Sequence, residues 1–277
     1  MPIVHAIVLG IVQGLTEFLP ISSSGHLILV PELLGWEELT RDPELNKTFD
    51  VALHVGTFVG VAWYFRHDIV KYIAAAWRSL RARAVRSVDE RMAWLLLLSA
   101  VPAAIVGALL NDFIDEHLGE PVLIGVMFVV FGLVLFWADR LPATRAADGF
   151  RARDAALMGA VQALALQPGV SRSGATISMG RWLRFDREAA TRLSFLMSLP
   201  IIAGAALFEA VDVMRDGGIE RDLVPPFIWG TIAAGISGFI AVAWLLRLLR
   251  THSFTPFVVY RVLAGATVVV VFATGLR

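Results

Sequence analysis

The chain contains no cysteine, so disulfide staples, thiolate metal sites and cysteine nucleophiles are all excluded. Charge is scarce too: Asp, Glu, Lys and Arg make up 17% of the 277 residues, and the 24 basic and 24 acidic side chains cancel. No nucleic-acid partner is expected from such a balance. A basic lead and a cleavage site are also missing from the N-terminal apolar stretch, which is therefore not expected to act as a signal peptide. What is there instead is apolar sequence, 57% of the chain, with a mean hydropathy of +0.70. Several uncharged runs reach the length that a helix rising ~1.5 Å per residue needs to cross a hydrocarbon core ~30 Å thick. The composition points to a single all-α integral membrane domain over residues 1–277.

Full spans are expected near 49–65, 92–110, 122–138, 193–209, 226–246 and 256–274. The segments between them sort by charge. Loops 66–91, 139–154, 181–192 and 247–255 hold 17 Lys/Arg against 8 Asp/Glu, whereas 35–48, 111–121 and 210–225 hold 4 against 12. Lys and Arg are retained on the cytoplasmic side, which places the first set inside and the second outside. That alternation requires residues 1–34 to enter and return on the outside, and 155–183 to enter and return on the inside. Each would be a re-entrant hairpin of two short apolar arms meeting at a Pro/Gly/Ser loop. Irregular backbone at membrane depth is tolerated where it is buried in protein or lines a wet cavity.

The two loops resemble each other. Gln13-Gly-Leu-Thr-Glu17-Phe-Leu-Pro-Ile-Ser22-Ser23-Ser24-Gly25-His26, shifted by 149 residues, aligns Gln13 with Gln162, Ser22 with Ser171, Ser24 with Ser173 and Gly25 with Gly174. Each half is then one re-entrant hairpin plus three transmembrane helices, about 1–138 and 155–277. Three spans are an odd number, so the second half is inverted relative to the first. The expected fold is six full spans and two hairpins arranged as an inverted-topology repeat, and inverted repeats with broken helices meeting near the midplane are familiar from secondary transporters.

Within the loops, Gln13 and Glu17 share a helix face. Glu17, the only acidic residue deep in that arm, is expected to ligate a cation or orient a catalytic group, unless it sits in water at the hairpin mouth. Ser22, Ser23 and Ser24 precede a new helix, where at least one is expected to cap free N–H groups. Beside them stands His26, able to accept a serine proton or to attack phosphorus itself. In the second loop, Arg172 offers a planar fork of donors matched to phosphate oxygens. Ser171, Ser173, Gly174 and Thr176 at the following helix start complete an anion cradle. Arg261, inside the last span, lies near enough to its basic end to snorkel outward. Trp63, Trp77, Trp94, Trp137, Trp182, Trp229 and Trp244 read as interfacial anchors.

The two loops, together with Pro168-Gly-Val-Ser-Arg-Ser-Gly-Ala-Thr176, Arg187–Pro200 and Pro256-Phe-Val-Val-Tyr-Arg261, resemble the bacterial undecaprenyl-diphosphate phosphatases, the bacitracin-resistance family. The resemblance covers essentially the whole chain. It implies hydrolysis of undecaprenyl diphosphate to the monophosphate and inorganic phosphate at a periplasm-facing site of the cytoplasmic (inner) membrane. This would recycle the lipid carrier of peptidoglycan synthesis and confer bacitracin resistance. It further implies help from Mg²⁺ or Ca²⁺. The family often has Glu where this chain has Gln13, which leaves Glu17 as the better ligand. The expected mechanism has Arg172 hold the terminal phosphate with Ser171, Ser173, Gly174, Thr176, Ser22 and Ser24. Ser23 attacks with His26 as base, or His26 attacks directly, while Glu17 orients the His or binds the cation. A polyprenyl-phosphate transporter or flippase, or a bifunctional hydrolase-flippase, is the competing reading. Membrane lipids and a second copy in a homodimer are the expected partners.

Overall fold

The computed structural model describes every residue except 37–41, 216–219 and 275–277. Among the described residues it has eleven α-helices: α1 Ile3–Phe18, α2 Ser23–Leu34, α3 Pro43–Tyr64, α4 Arg66–Ala82, α5 Val88–His117, α6 Pro121–Asp139, α7 Ala152–Leu164, α8 Arg172–Trp182, α9 Arg187–Arg215, α10 Val224–Leu248 and α11 Thr255–Ala273. Among the described residues, extended pairing is limited to one isolated bridge between Arg145 and Phe185. Helices α5, α6, α9, α10 and α11 contain segments long and apolar enough to cross a membrane. The expected span at 49–65 falls on α3 and its C-cap Phe65; that helix is 22 residues long but does not meet that standard. Asp50, His54 and Thr57 dilute its apolar run.

One expectation needs correction. Residues 66–82 of the supposed basic loop form α4, whose Val70, Ile73, Trp77 and Leu80 make an exposed stripe at helical spacing. Arg66, Lys71, Arg78 and Arg81 complete it. Apolar and basic residues at that spacing suit an interfacial helix, which a search for uncharged runs cannot detect. The indole N–H of Trp94, at the start of α5, donates to Ser79 Oγ of α4 at 2.7 Å.

The four basic segments are joined to one another. Arg192 binds Asp68 at 2.6 Å, Arg91 donates to the Asp148 carbonyl, Arg187 binds Asp139 at 2.6 Å, and Arg250 lies 3.5 Å from Glu188. They share one end of the molecule, as the charge sorting expects. The paired helices α1/α2 and α7/α8 fold back on themselves. His5 near the start of α1 stacks on Trp36 just past α2, with ring centroids 4.0 Å apart. Arg145 holds Asp154 at the start of α7 and the Leu183 carbonyl at the end of α8. The hairpin of each half docks on a helix of the other: α1 against α10, and α7 against α5. Glycine permits both approaches, because a Cβ at Gly10 would sit 2.3 Å from the Gly230 carbonyl oxygen, and one at Gly159 2.4 Å from that of Ser99.

Candidate active site

Both hairpins break their helix with the same backbone device. Ser22 (φ 73°, ψ 99°) and Ser171 (φ 73°, ψ 112°) adopt left-handed φ immediately before α2 and α8. A non-glycine residue held there costs on the order of 1–3 kcal/mol and persists only when the surroundings enforce it. Here the hydroxyls supply part of that enforcement. Ser171 Oγ caps α8 by accepting from Gly174 N–H at 3.1 Å. Ser22 Oγ makes no local cap and instead accepts from Gly169 N–H of the other hairpin at 3.1 Å. Ser173 returns the contact by donating to the Leu19 carbonyl at 3.0 Å. The two tips therefore meet, with the free N–H ends of two helices directed at one place.

That place is a cavity of about 220 Å³ lined by Glu17, Ser22, Ser23, Ser24, Ser171 and Arg172, with His54, Gln162 and apolar Ala103, Leu166 and Ile201 completing the wall. Glu17, at the end of α1, is its centre. One carboxylate oxygen pairs with Arg172. The other accepts from Ser23 Oγ at 2.5 Å and from Gln13 Nε2 at 3.1 Å, and lies 3.5 Å from His54 Nε2. Depth follows from helix rise. Ala103 lies 12 residues past Arg91, Ile201 lies 14 past Arg187, and His54 lies 12 before Arg66. At ~1.5 Å per residue, three helices independently put the cavity roughly 18–21 Å from the basic end.

Not every expected residue faces this cavity. His26 points away from it: Nδ1 bonds the Ser22 carbonyl at 2.6 Å, Nε2 bonds Tyr260 Oη at 2.6 Å, and the ring stacks between Phe128 and Tyr260. No hydrogen bond joins it to Ser23 among the described residues, and Glu17 occupies the position foreseen for it. Thr176 bonds Ser194 Oγ at 2.6 Å and its own helix, so it faces α9 rather than the cavity. Ser173 and Gly174 lie behind the lining residues and shape the tip.

Arg261 also departs from its expected role. It is fully buried and does not reach the surface. Its guanidinium donates to five main-chain carbonyls: Pro20 of the first tip, Gly169 and Val170 of the second, and Met127 and Phe128 of α6, at 2.7–3.1 Å. Broken helices leave carbonyls without intrahelical donors, and Arg261 satisfies those of both tips at once. It makes no ion pair among the described residues, so a positive charge stays beneath the cavity. Donor accounting for two broken helices could have flagged an arginine in the last apolar run. Tyr260 stood in the Pro256–Arg261 segment that carries the resemblance, whereas His54 carried no sequence signal beyond its residue type.

The oxygens that could hold a Mg²⁺ or Ca²⁺ here are those of the Glu17 carboxylate and the amide oxygens of Gln13 and Gln162, both of which are buried without a hydrogen-bond partner. No cluster of three or more His, Asp or Glu suited to a metal occurs among the described residues.

Fold and site together define an all-helical, multi-pass membrane protein whose polar cavity is built from two broken-helix hairpins. The chain belongs to the family described as bacitracin resistance protein BacA, whose family model matches residues 6–267. It is 46% identical to an undecaprenyl-diphosphatase of Gemmatimonas aurantiaca over 99% of this chain and 98% of the relative. The corresponding protein of Pelobacter propionicus is 46% identical over 100% and 99% of the two chains, and that of a Nocardioides species 47% identical over 98% and 97%.

Proposed function

We propose that this chain hydrolyses undecaprenyl diphosphate to undecaprenyl phosphate and inorganic phosphate, recycling the carrier for peptidoglycan synthesis and so conferring bacitracin resistance. The observation that carries this reading is the 2.5 Å bond from Ser23 to Glu17, whose other oxygen is held by Arg172, where two helix starts converge. The terminal phosphate enters between the N–H ends of α2 and α8, and Arg172 swings from Glu17 onto its oxygens. Glu17, released from its partner, then takes the Ser23 proton. Ser23 Oγ bonds to the terminal phosphorus, and the bridging P–O bond breaks, its electron pair leaving with undecaprenyl phosphate. Water next adds to the phosphoserine, the Oγ–P bond breaks, and the proton held by Glu17 returns to Oγ. Ser23 is favoured over His26 as nucleophile because both His26 ring nitrogens are already bonded away from the cavity. Apolar Ala103, Leu166 and Ile201 receive the first isoprene units.

The proposal includes the membrane arrangement: two inverted repeats, about 1–138 and 155–277, with α3 as the sixth span and α1/α2 and α7/α8 re-entrant. The joined basic segments support a cytoplasmic location for that end, and the roughly 18–21 Å to the cavity supports a periplasm-facing site in the inner membrane. Phosphate release by purified protein in detergent, from C15 and C55 diphosphates, tests the reading. Release that disappears in Ser23→Ala and Arg172→Ala is expected. No release from either substrate would overturn it in favour of a carrier, since detergent offers no membrane to cross.

A further inference from the structure

A second and larger cavity, about 650 Å³, lies at the basic end, separate from the site above. It collects the starts of α9 and α11, at Asp186–Glu188 and Ser253–Thr255, and the ends of α6 and α10, at Asp139–Leu141 and Leu249–Arg250. Four arginines line it, at 140, 181, 187 and 250, with three carboxylates, Asp139, Asp186 and Glu188. The acids are committed. Asp139 accepts from Arg187 at 2.6 Å and from Phe254 N–H at 3.1 Å, Asp186 caps α9 through Ala189 N–H at 2.7 Å, and Glu188 faces Arg250 at 3.5 Å. What remains uncommitted is positive. Arg140 makes no ion pair among the described residues, its guanidinium resting over Phe136 and Trp137. Arg181, only 4% exposed, spends its terminal nitrogens on the Asp139, Leu141 and Phe185 carbonyls and pairs with Asp139 at 3.7 Å, which leaves only its buried Nε without a hydrogen-bond partner. Phe136, Leu249 and Val258 give the same cavity an apolar wall.

We propose that this cavity binds a phosphoryl oxyanion, that of an anionic lipid headgroup in the leaflet at the basic face. Arginine forks suit a phosphate, and the apolar wall suits the first carbons attached to it. The test is native mass spectrometry of the full chain with added phosphatidylglycerol, phosphatidylcholine or inorganic phosphate. Wild type is compared with Arg140→Ala/Arg250→Ala and with Arg78→Ala/Arg81→Ala, which removes the same charge from α4. Both pairs are exposed and outside the catalytic cavity, so phosphate release at the wild-type rate certifies the fold. Retention of phosphatidylglycerol should fall on the order of tenfold in the cavity variant alone, with phosphatidylcholine bound equally by all three. If the cavity variant loses only inorganic phosphate, the same oxyanion site serves the free ion rather than a lipid. Equal losses in the two double variants, or none in either, would overturn the proposal.

Discussion

The two hairpins share a backbone and divide the chemistry. Ser22 and Ser171 turn with the same φ, the tips bond to each other, and each hairpin docks on the opposite half. Yet the first holds the carboxylate and the hydroxyl, Glu17 and Ser23, whereas the equivalent positions of the second are Leu166 and Arg172. One serine turn is used twice, and the two loops that carry it hold opposite charges, Glu17 and Arg172. In the proposed mechanism, the nucleophile and the cation that receives its target therefore never compete for one loop.

The largest effects should follow that division. Glu17→Gln leaves Ser23 without a base, and general-base losses run to roughly 10²–10⁴ in rate. Ser23→Ala removes the nucleophile and should reduce phosphate release at least as far. Arg172→Ala should cost about 10²–10³, the scale of losing a preorganised oxyanion donor. Leu166→Ala, at the position equivalent to Glu17, should change kcat less than about threefold, as expected of a side chain that meets the isoprene tail and not the reacting phosphate. Comparable losses for Arg172→Ala and Leu166→Ala would break the comparison.

A smaller effect tests what holds the tips together. Lysine at position 261 keeps the charge but cannot span five carbonyls, so Arg261→Lys should reduce kcat by about tenfold or more while leaving carbonyls of both tips bare. Removing one partner from a buried charged network costs roughly 3–5 kcal/mol, and thermal unfolding in detergent reads that loss. Guanidinium added to Arg261→Ala should recover part of kcat. A wild-type rate in Arg261→Lys would mean that each tip keeps its shape unaided.

Composition and charge made most of the fold legible. The five most apolar helices, the single end that gathers all basic segments, and the folding back of both hairpins were all readable, because hydropathy and charge sorting are one-dimensional signals. Helix α4 was missed because its apolar residues recur at helical spacing among charges. In the site, the cavity holds Glu17, Ser22, Ser23, Ser24, Ser171 and Arg172, which stood in the two broken helices. His26 and Arg261 were misread for a common reason. Their direction is set by partners more than 90 residues away, Tyr260 for one and the loop carbonyls for the other. His54 fills the cavity's imidazole position from a helix that the loop motifs do not touch.

The smallest effect asks whether the hairpins are docked alike. Gly10 and Gly159 are equivalent under the 149-residue shift, and each packs against a carbonyl of the opposite half, at Gly230 and Ser99. A methyl group at either position would sit 2.3 or 2.4 Å from that oxygen, a backbone atom that cannot rotate aside. The docked helix must shift, and overpacking of this kind costs about 1–3 kcal/mol. Gly10→Ala and Gly159→Ala should therefore lower Tm by similar amounts, a few degrees each for a chain of this size. Both glycines are about two turns from the tips, so kcat should stay within roughly threefold of wild type. A fall in Tm for one variant alone would show that only one hairpin depends on its interhelical glycine, and that the structural equivalence stops at the serine turns.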